Sequence, residues 1–151
     1  MLLSADCPLI LVFDPVHPAI GVAHASWRGT IGRIARRLVE RMVIEFHSDP
    51  ARLLAGIGPS AGPDRYVVGE EVRRLAAAAG EEYERHFRTT CRGVTFDLWS
   101  ANRDLLIAGG VHPDRIEVAG LCTIQDTRFF SYRREGPGTG RFALVAGLTA
   151  S

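Results

Sequence analysis

Leu9-Ile10-Leu11-Val12-Phe13, then Asp14-Pro15-Val16-His17-Pro18, then Ala19-Ile20-Gly21-Val22-Ala23: the fold of this chain turns on these fifteen residues. An unbroken apolar run bounded by turn formers reads as a buried β-strand. Pro15 suits the second position of a turn, where its ring pre-sets φ. The run that follows is a second strand, so the pair makes an antiparallel hairpin. A turn centred on Pro15 and Val16 places Cys7 opposite His24, with both side chains on one face. Directly opposed β-carbons lie about 4.5–5.5 Å apart, which suits a shared metal ion or a thiolate–imidazole pair.

Outward from the hairpin, Thr30 is predicted to cap a helix running to about Phe46. Ile31, Ile34, Ala35, Leu38, Met42, Val43 and Phe46 recur at the spacing of one buried face, and Arg33, Arg36, Arg37, Glu40 and Arg41 fill the other. Residues 53–57 form a third strand, followed by a loop dense in glycine and proline. A helix over 70–79 ends at Gly80, and residues 81–87 either extend it or make a separate turn. Asp97 caps a further helix over 98–108, which stops at Gly109-Gly110. Residues 115–119 and 142–148 read as strands. Strands alternating with helices indicate an α/β layered architecture, a mixed sheet flanked by helices. Strand order is not legible at this level.

The chain has 151 residues, about one domain. Its net charge of +1 leaves no basis for bulk binding to nucleic acid or to an anionic membrane. No stretch approaches the roughly 20 apolar residues of a membrane span, and residues 1–4 do not read as a signal peptide. Three scattered cysteines, Cys7, Cys91 and Cys122, are not a disulfide framework, so a reducing cytoplasm is expected. Oligomeric state is not legible. Chemistry-bearing residues so near the first position lead to the expectation that upstream sequence is missing.

Three clusters carry chemistry. Cys7 with His24 offers a soft thiolate and an imidazole, which favour zinc or copper over magnesium; a buried free cysteine beside a core histidine is the plainer alternative. Trp27-Arg28-Gly29-Thr30 opens the long helix, where free N–H groups and the helix dipole favour an anion. There Arg28 would grip phosphate or carboxylate and Gly29 would let it approach the backbone, unless this is an ordinary strand-to-helix turn. Cys122-Thr123 is followed by Phe129-Phe130-Ser131-Tyr132-Arg133-Arg134, aromatics beside two arginines that either stack on a ring or end a strand. His17, His47, His86 and His112 read as surface or capping residues.

Taken together these segments resemble the laccase-domain family, once called multicopper polyphenol oxidases. Ser4-Ala5-Asp6-Cys7-Pro8 is similar to its ADCxP motif, and His24-Ala25-Ser26-Trp27-Arg28-Gly29 to its HAGWRG motif. Ile57-Gly58-Pro59-Ser60-Ala61-Gly62 with Tyr66, Asp97-Leu98 with Asn102, and Cys122-Thr123 through Gly140-Arg141 follow in order, so the likeness runs from near residue 4 to near residue 147.

The resemblance implies a fold shared with cysteine-hydrolase toxins, and a single laccase-like domain over 1–151 without the family's N-terminal part. It implies phosphorolysis of adenosine, inosine, guanosine or methylthioadenosine, deamination of adenosine, and zinc or copper as the metal; some members are described as peptidoglycan-editing factors. The family metal is held by the motif cysteine, the motif histidine and an upstream histidine. Cys7 and His24 match the first two, and the third has no counterpart. Arg28, Gly29 and secondarily Arg133 are expected to hold phosphate, and Phe129 and Phe130 to stack on the base. Ser26 stands where the family has glycine, which would be strained if the position needs positive φ. A metal-free hydrolase with Cys7 as nucleophile and His24 as base, acting on an amide such as a peptidoglycan precursor, is the alternative enzyme. A catalytically inactive binding module is the alternative to an enzyme.

Overall fold

A computed structural model describes residues 1–149. Its strands are β1 (Leu2–Ser4), β2 (Leu9–Asp14), β3 (Ala19–His24), β4 (Leu54–Ile57), β5 (Val67–Val68), β6 (Phe87–Thr90), β7 (Gly93–Phe96), β8 (Ile116–Val118) and β9 (Phe142–Leu144). Its α-helices are α1 (Trp27–Ile31), α2 (Ile34–Phe46), α3 (Glu70–Ala79), α4 (Leu98–Ala108) and α5 (Tyr132–Glu135).

The central sheet has the order β3-β2-β4-β8, with β8 parallel to β4 and the other neighbours antiparallel. Side chains alternate across it. Ile10, Val12, Ala19, Ala23, Ala55, Ile57 and Ile116 point into the core with Val39 and Met42 of α2 and Leu105 and Leu106 of α4. Gly21 lets α2 come close: a Cβ there would stand 2.7 Å from Leu38 Cδ1. A β1–β9 ribbon and a β5-β7-β6 sheet flank this layer. The mixed α/β architecture read from the sequence is the one observed.

Three local expectations are corrected. The hairpin pairs Leu9, not Cys7, with His24, so its register is shifted by two residues. Asp14 explains the shift: its Oδ1 accepts from the N–H groups of Val16 (2.8 Å) and His17 (3.1 Å), moving the turn one position along. Because side chains repeat every two residues, Cys7 and His24 keep the same side.

The helix expected from Thr30 is broken in two. Ser26 caps α1, its Oγ accepting from Gly29 N–H at 3.2 Å. The chain then kinks at Arg33, which adopts the left-handed conformation with φ 60°. Thr30 is instead drawn into the core, where its Oγ1 accepts from Asn102 Nδ2 at 2.9 Å and its carbonyl accepts from the Tyr83 hydroxyl at 3.0 Å.

His86 is not a surface residue. It is 6% exposed, ends a 3₁₀ segment over Glu81–His86, and stands 3.4 Å from Asp104. That segment is separate from α3 because Gly80 leaves helical geometry.

Candidate active site

The hairpin arms and the C-terminal segment meet at a pocket of about 270 Å³. Cys7 and His24 both line it, together with Asp6, Tyr66, Tyr132, Arg133 and Arg141. The hairpin ladder is prolonged by an Ala25 N–H to Pro8 carbonyl bond of 2.8 Å, which holds the two arms together up to the pocket.

Asp6 organises the floor. It is 6% exposed and sits at φ 83°, a left-handed conformation uncommon outside glycine. Its Oδ1 accepts from the Thr123 hydroxyl and its Oδ2 from the Arg133 backbone N–H, each at 2.7 Å, while its carbonyl accepts from Ala61 N–H at 2.8 Å. Asp6 thus ties three distant segments together beside Cys7, two through its carboxylate and one through its backbone carbonyl. Tyr66 stands opposite, and the Arg133 guanidinium lies 4.9 Å from its ring centroid and also donates to the Val67 carbonyl.

The electrostatics follow from burial. Burial pushes the Cys7 thiol up to about 11; the Asp6 charge adds to this and Arg141 opposes it. Burial holds the His24 imidazole below its ordinary value. Tyr66 is raised to about 12 by burial and by the neighbouring Cys7 and Asp6, against Arg133 and Arg28. The resting pair is therefore a neutral thiol and a neutral imidazole.

The other expected site residues are placed differently. Arg28 folds its guanidinium over the Trp27 ring, 4.1 Å from the centroid, near enough for its charge to act on Tyr66. The Gly29 N–H, expected to meet phosphate, is already taken by Ser26 Oγ. Phe129 packs edge-on against Phe142, and Phe130, 48% exposed, lies against Gly140. Tyr66 and Tyr132 are the rings that face the pocket. Tyr132 belongs to the aromatic and arginine cluster read from the sequence, whereas Tyr66 and Arg141 were named only within its motifs. Arg134 is turned away and builds the neighbouring loop by donating to the carbonyls of Thr123 (2.6 Å) and Phe129 (2.6 Å).

Cys122 belongs to a separate and larger cavity of about 510 Å³ beside Trp99 and Asp126. Its sulfur accepts from Gly62 N–H at 3.2 Å, and no histidine lines that cavity among the described residues. The smaller pocket is the one that joins a thiol, an imidazole and two arginines.

Cys7 and His24 match zinc in donor type but not in number. Among the described residues no three His, Cys, Asp or Glu groups converge as a metal site, and both Asp6 oxygens are already engaged. Zinc sites normally use at least three protein ligands, so the pair is a partial donor set.

A family model described as multi-copper polyphenol oxidoreductase laccase matches residues 1–149. The chain belongs to this laccase family. It is 43% identical over 148 residues to a purine nucleoside phosphorylase of Deinococcus radiodurans, covering 96% of this chain and 55% of that protein. It is 37% identical over 147 residues to the adenosine deaminase RL5 of an unknown prokaryotic organism, covering 91% and 53%. The crystal structure of the Bacillus licheniformis hypothetical protein YfiH superposes with a TM-score of 0.86 at 36% identity, covering 93% of this chain and 54% of that one. The chain thus spans about half the length of the laccase-family relatives it matches. Among the described residues no helix is long and apolar enough to cross a membrane.

Proposed function

We propose that the Cys7/His24 pocket binds a purine nucleoside and phosphate and supports phosphorolysis, with adenosine deamination as a second activity of the same site. The observation that carries this reading is the convergence of a thiol, an imidazole, two guanidiniums and two tyrosine rings on one pocket. Relatives named purine nucleoside phosphorylase and adenosine deaminase support the reaction class. Inosine, guanosine, adenosine and methylthioadenosine are all candidate substrates.

Phosphorolysis breaks the C1′–N9 bond and forms a C1′–O bond to phosphate, so an anion must be held against the sugar while the base departs with the electron pair. Arg133 and Arg141 are the guanidiniums that line the pocket and would hold that anion. Arg28, stacked on Trp27, is a further cation whose charge reaches Tyr66. Tyr66 and Tyr132 would contact the base or ribose. His24, neutral near pH 7, would act as an acceptor or ligand rather than a proton donor.

Cys7 and His24 would supply two ligands to zinc, or to copper. When bound, the ion would supply Lewis-acid chemistry at the pocket.

A metal-free Cys/His hydrolase is less well supported. That chemistry needs a thiolate, made by lowering the thiol pKa, whereas burial raises Cys7 to about 11. Cleavage of a peptidoglycan-precursor amide is the assay for it. The proposal is tested by incubating the protein with inosine plus phosphate, and with adenosine, at controlled zinc, and following hypoxanthine and inosine. Turnover abolished in Cys7→Ala is expected. Full metal-dependent turnover in that variant would remove Cys7 from the mechanism, and absence of turnover in the unsubstituted protein would favour an inactive binding module.

A further inference from the structure

The parallel strands β4 and β8 stay paired beyond the end of their ladder. Ala119 N–H donates to the Ile57 carbonyl (2.9 Å), Ser60 N–H to that of Leu121 (3.1 Å) and Thr123 N–H to that of Ser60 (3.0 Å). The cavity of about 510 Å³ lies just past these bonds, at the carboxyl ends of both strands. Open α/β sheets form their ligand crevices at such ends.

The lining combines aromatic surface with hydrogen-bonding groups. Trp99, in the first turn of α4, donates its indole N–H to Ser60 Oγ at 2.7 Å, and Ser60 is fully buried. With that N–H engaged, the fixed indole offers the cavity aromatic surface alone, and Leu121 adds apolar surface. Asp126 is occupied by Arg128, 2.6 Å away. Asp64 is exposed and forms no ion pair among the described residues. The Gln125 amide oxygen accepts from Arg65 Nε at 3.2 Å, which leaves the NH2 group to donate.

A nucleobase stacks on an aromatic ring whatever its identity, so the polar groups make the choice. A carboxylate presents two acceptor oxygens side by side. Guanine matches them with N1–H and N2–H on one edge, and its O6 beside them takes a donor. Adenine has no ring N–H on that edge. We infer that this cavity is a second nucleobase site, selective for a guanine-type base, either free or as its nucleoside. The ring lies against Trp99, the N1–H and N2–H edge donates to Asp64, and O6 accepts from Gln125. The volume falls in the roughly 300–1,000 Å³ range of small-molecule sites and leaves room for a ribose. The two cavities share a wall: Ala61 and Thr123, each next to a residue lining this cavity, are bonded to Asp6 of the Cys7 pocket. The inference does not rest on the proposed phosphorolysis.

The chain has two tryptophans, so Trp27→Phe leaves Trp99 as the sole indole reporter. Guanosine is titrated into this protein without phosphate, so no turnover is required. Saturable quenching of Trp99 fluorescence is expected. It should weaken at least tenfold with 1-methylguanosine, which stacks but lacks N1–H, and at least tenfold in Asp64→Ala, with an unchanged thermal midpoint showing that the variant folds. Equilibrium dialysis of labelled guanosine against the chain with both tryptophans gives an independent count: Asp64→Ala should bind one guanosine fewer per chain, whether or not the Cys7 pocket also binds one. Absence of quenching, equal binding of 1-methylguanosine, or an unchanged guanosine count in Asp64→Ala overturns the inference. Failure of phosphorolysis alone leaves these readouts unaffected and counts only against the Cys7 reading.

Discussion

The carboxylate of Asp6 accepts a 2.7 Å hydrogen bond from the backbone N–H of Arg133, 127 residues further along the chain. The same group accepts from Thr123 at 2.7 Å. Asp6 is 6% and Thr123 0% exposed, so the Thr123 hydroxyl has no water as a ready substitute; the Arg133 bond is partly buried. Hydrogen bonds to charged groups contribute about 1.5–3 kcal/mol each.

Asp6→Ala is therefore expected to lower unfolding free energy by about 3 kcal/mol, read from urea denaturation. Asp6→Asn keeps one acceptor for the Arg133 N–H and presents an amide to the Thr123 hydroxyl, which can rotate to accept, so a loss under about 1.5 kcal/mol is expected. Equal losses in the two variants would show that the carboxylate does not hold the two segments together. Because Arg133 hangs from this bond, phosphate KM should rise in Asp6→Ala even where the protein remains folded.

Cys7 provides a pH prediction. Its thiol titrates near 11 in the metal-free protein, against 9.0 for an ordinary cysteine. In a Cys91→Ser, Cys122→Ser background, alkylation by iodoacetamide should be slow at pH 8 and should rise about tenfold per pH unit toward pH 11, because only the thiolate reacts. A half-maximal rate below pH 9 would contradict the burial argument. Stability has the matching sign. The unfolded chain releases the proton near pH 9 while the folded one retains it, so stabilisation is complete below pH 9 and is lost as pH rises through 11. The loss should total about 2–3 kcal/mol, and Cys7→Ala should abolish it.

Arg133 faces both Tyr66 and the pocket. Removing it takes away a charge-assisted donor for an anion and leaves the ring contact empty. Arg133→Ala is expected to raise phosphate KM at least tenfold, equivalent to about 1.4 kcal/mol. Arg133→Lys should recover part of the charge but not the planar donor geometry. Initial rates over a phosphate series would show this, and an unchanged KM in Arg133→Ala would move the anion to Arg141 or Arg28.

Much of this molecule was legible from local pattern. The hairpin, α3, α4 and the Asp97 cap follow from apolar spacing and turn residues, and α4 begins where Asp97 Oδ1 accepts from Ser100 N–H at 3.0 Å. The β5-β7-β6 sheet was not legible, because Arg88, Thr89 and Thr90 give β6 no apolar period, and β7 shows its buried side only against the rest of the fold. The site was half legible. Cys7 and His24 stand out by residue type, and a two-residue register error left their side unchanged. Tyr66 is brought in by folding over a long separation and no local spacing marks it, while Tyr132 was marked only by the aromatics and arginines beside it. The Gly29 N–H is held by a local cap, the Ser26 hydroxyl three residues earlier, which residue type alone does not reveal.

Ser26 decides the last prediction. A residue in place of the family's glycine would be strained at positive φ, but Ser26 sits at φ −57°, where any L-residue is at ease. Its hydroxyl oxygen is the N-cap of α1, the short helix that carries Trp27 and Arg28. Restoring glycine should therefore not stabilise the chain. Ser26→Gly is expected to cost a few tenths of a kcal/mol and Ser26→Ala about 1 kcal/mol, read as ordered shifts in urea midpoint. If glycine proved the more stable residue, backbone freedom rather than the cap would govern this turn.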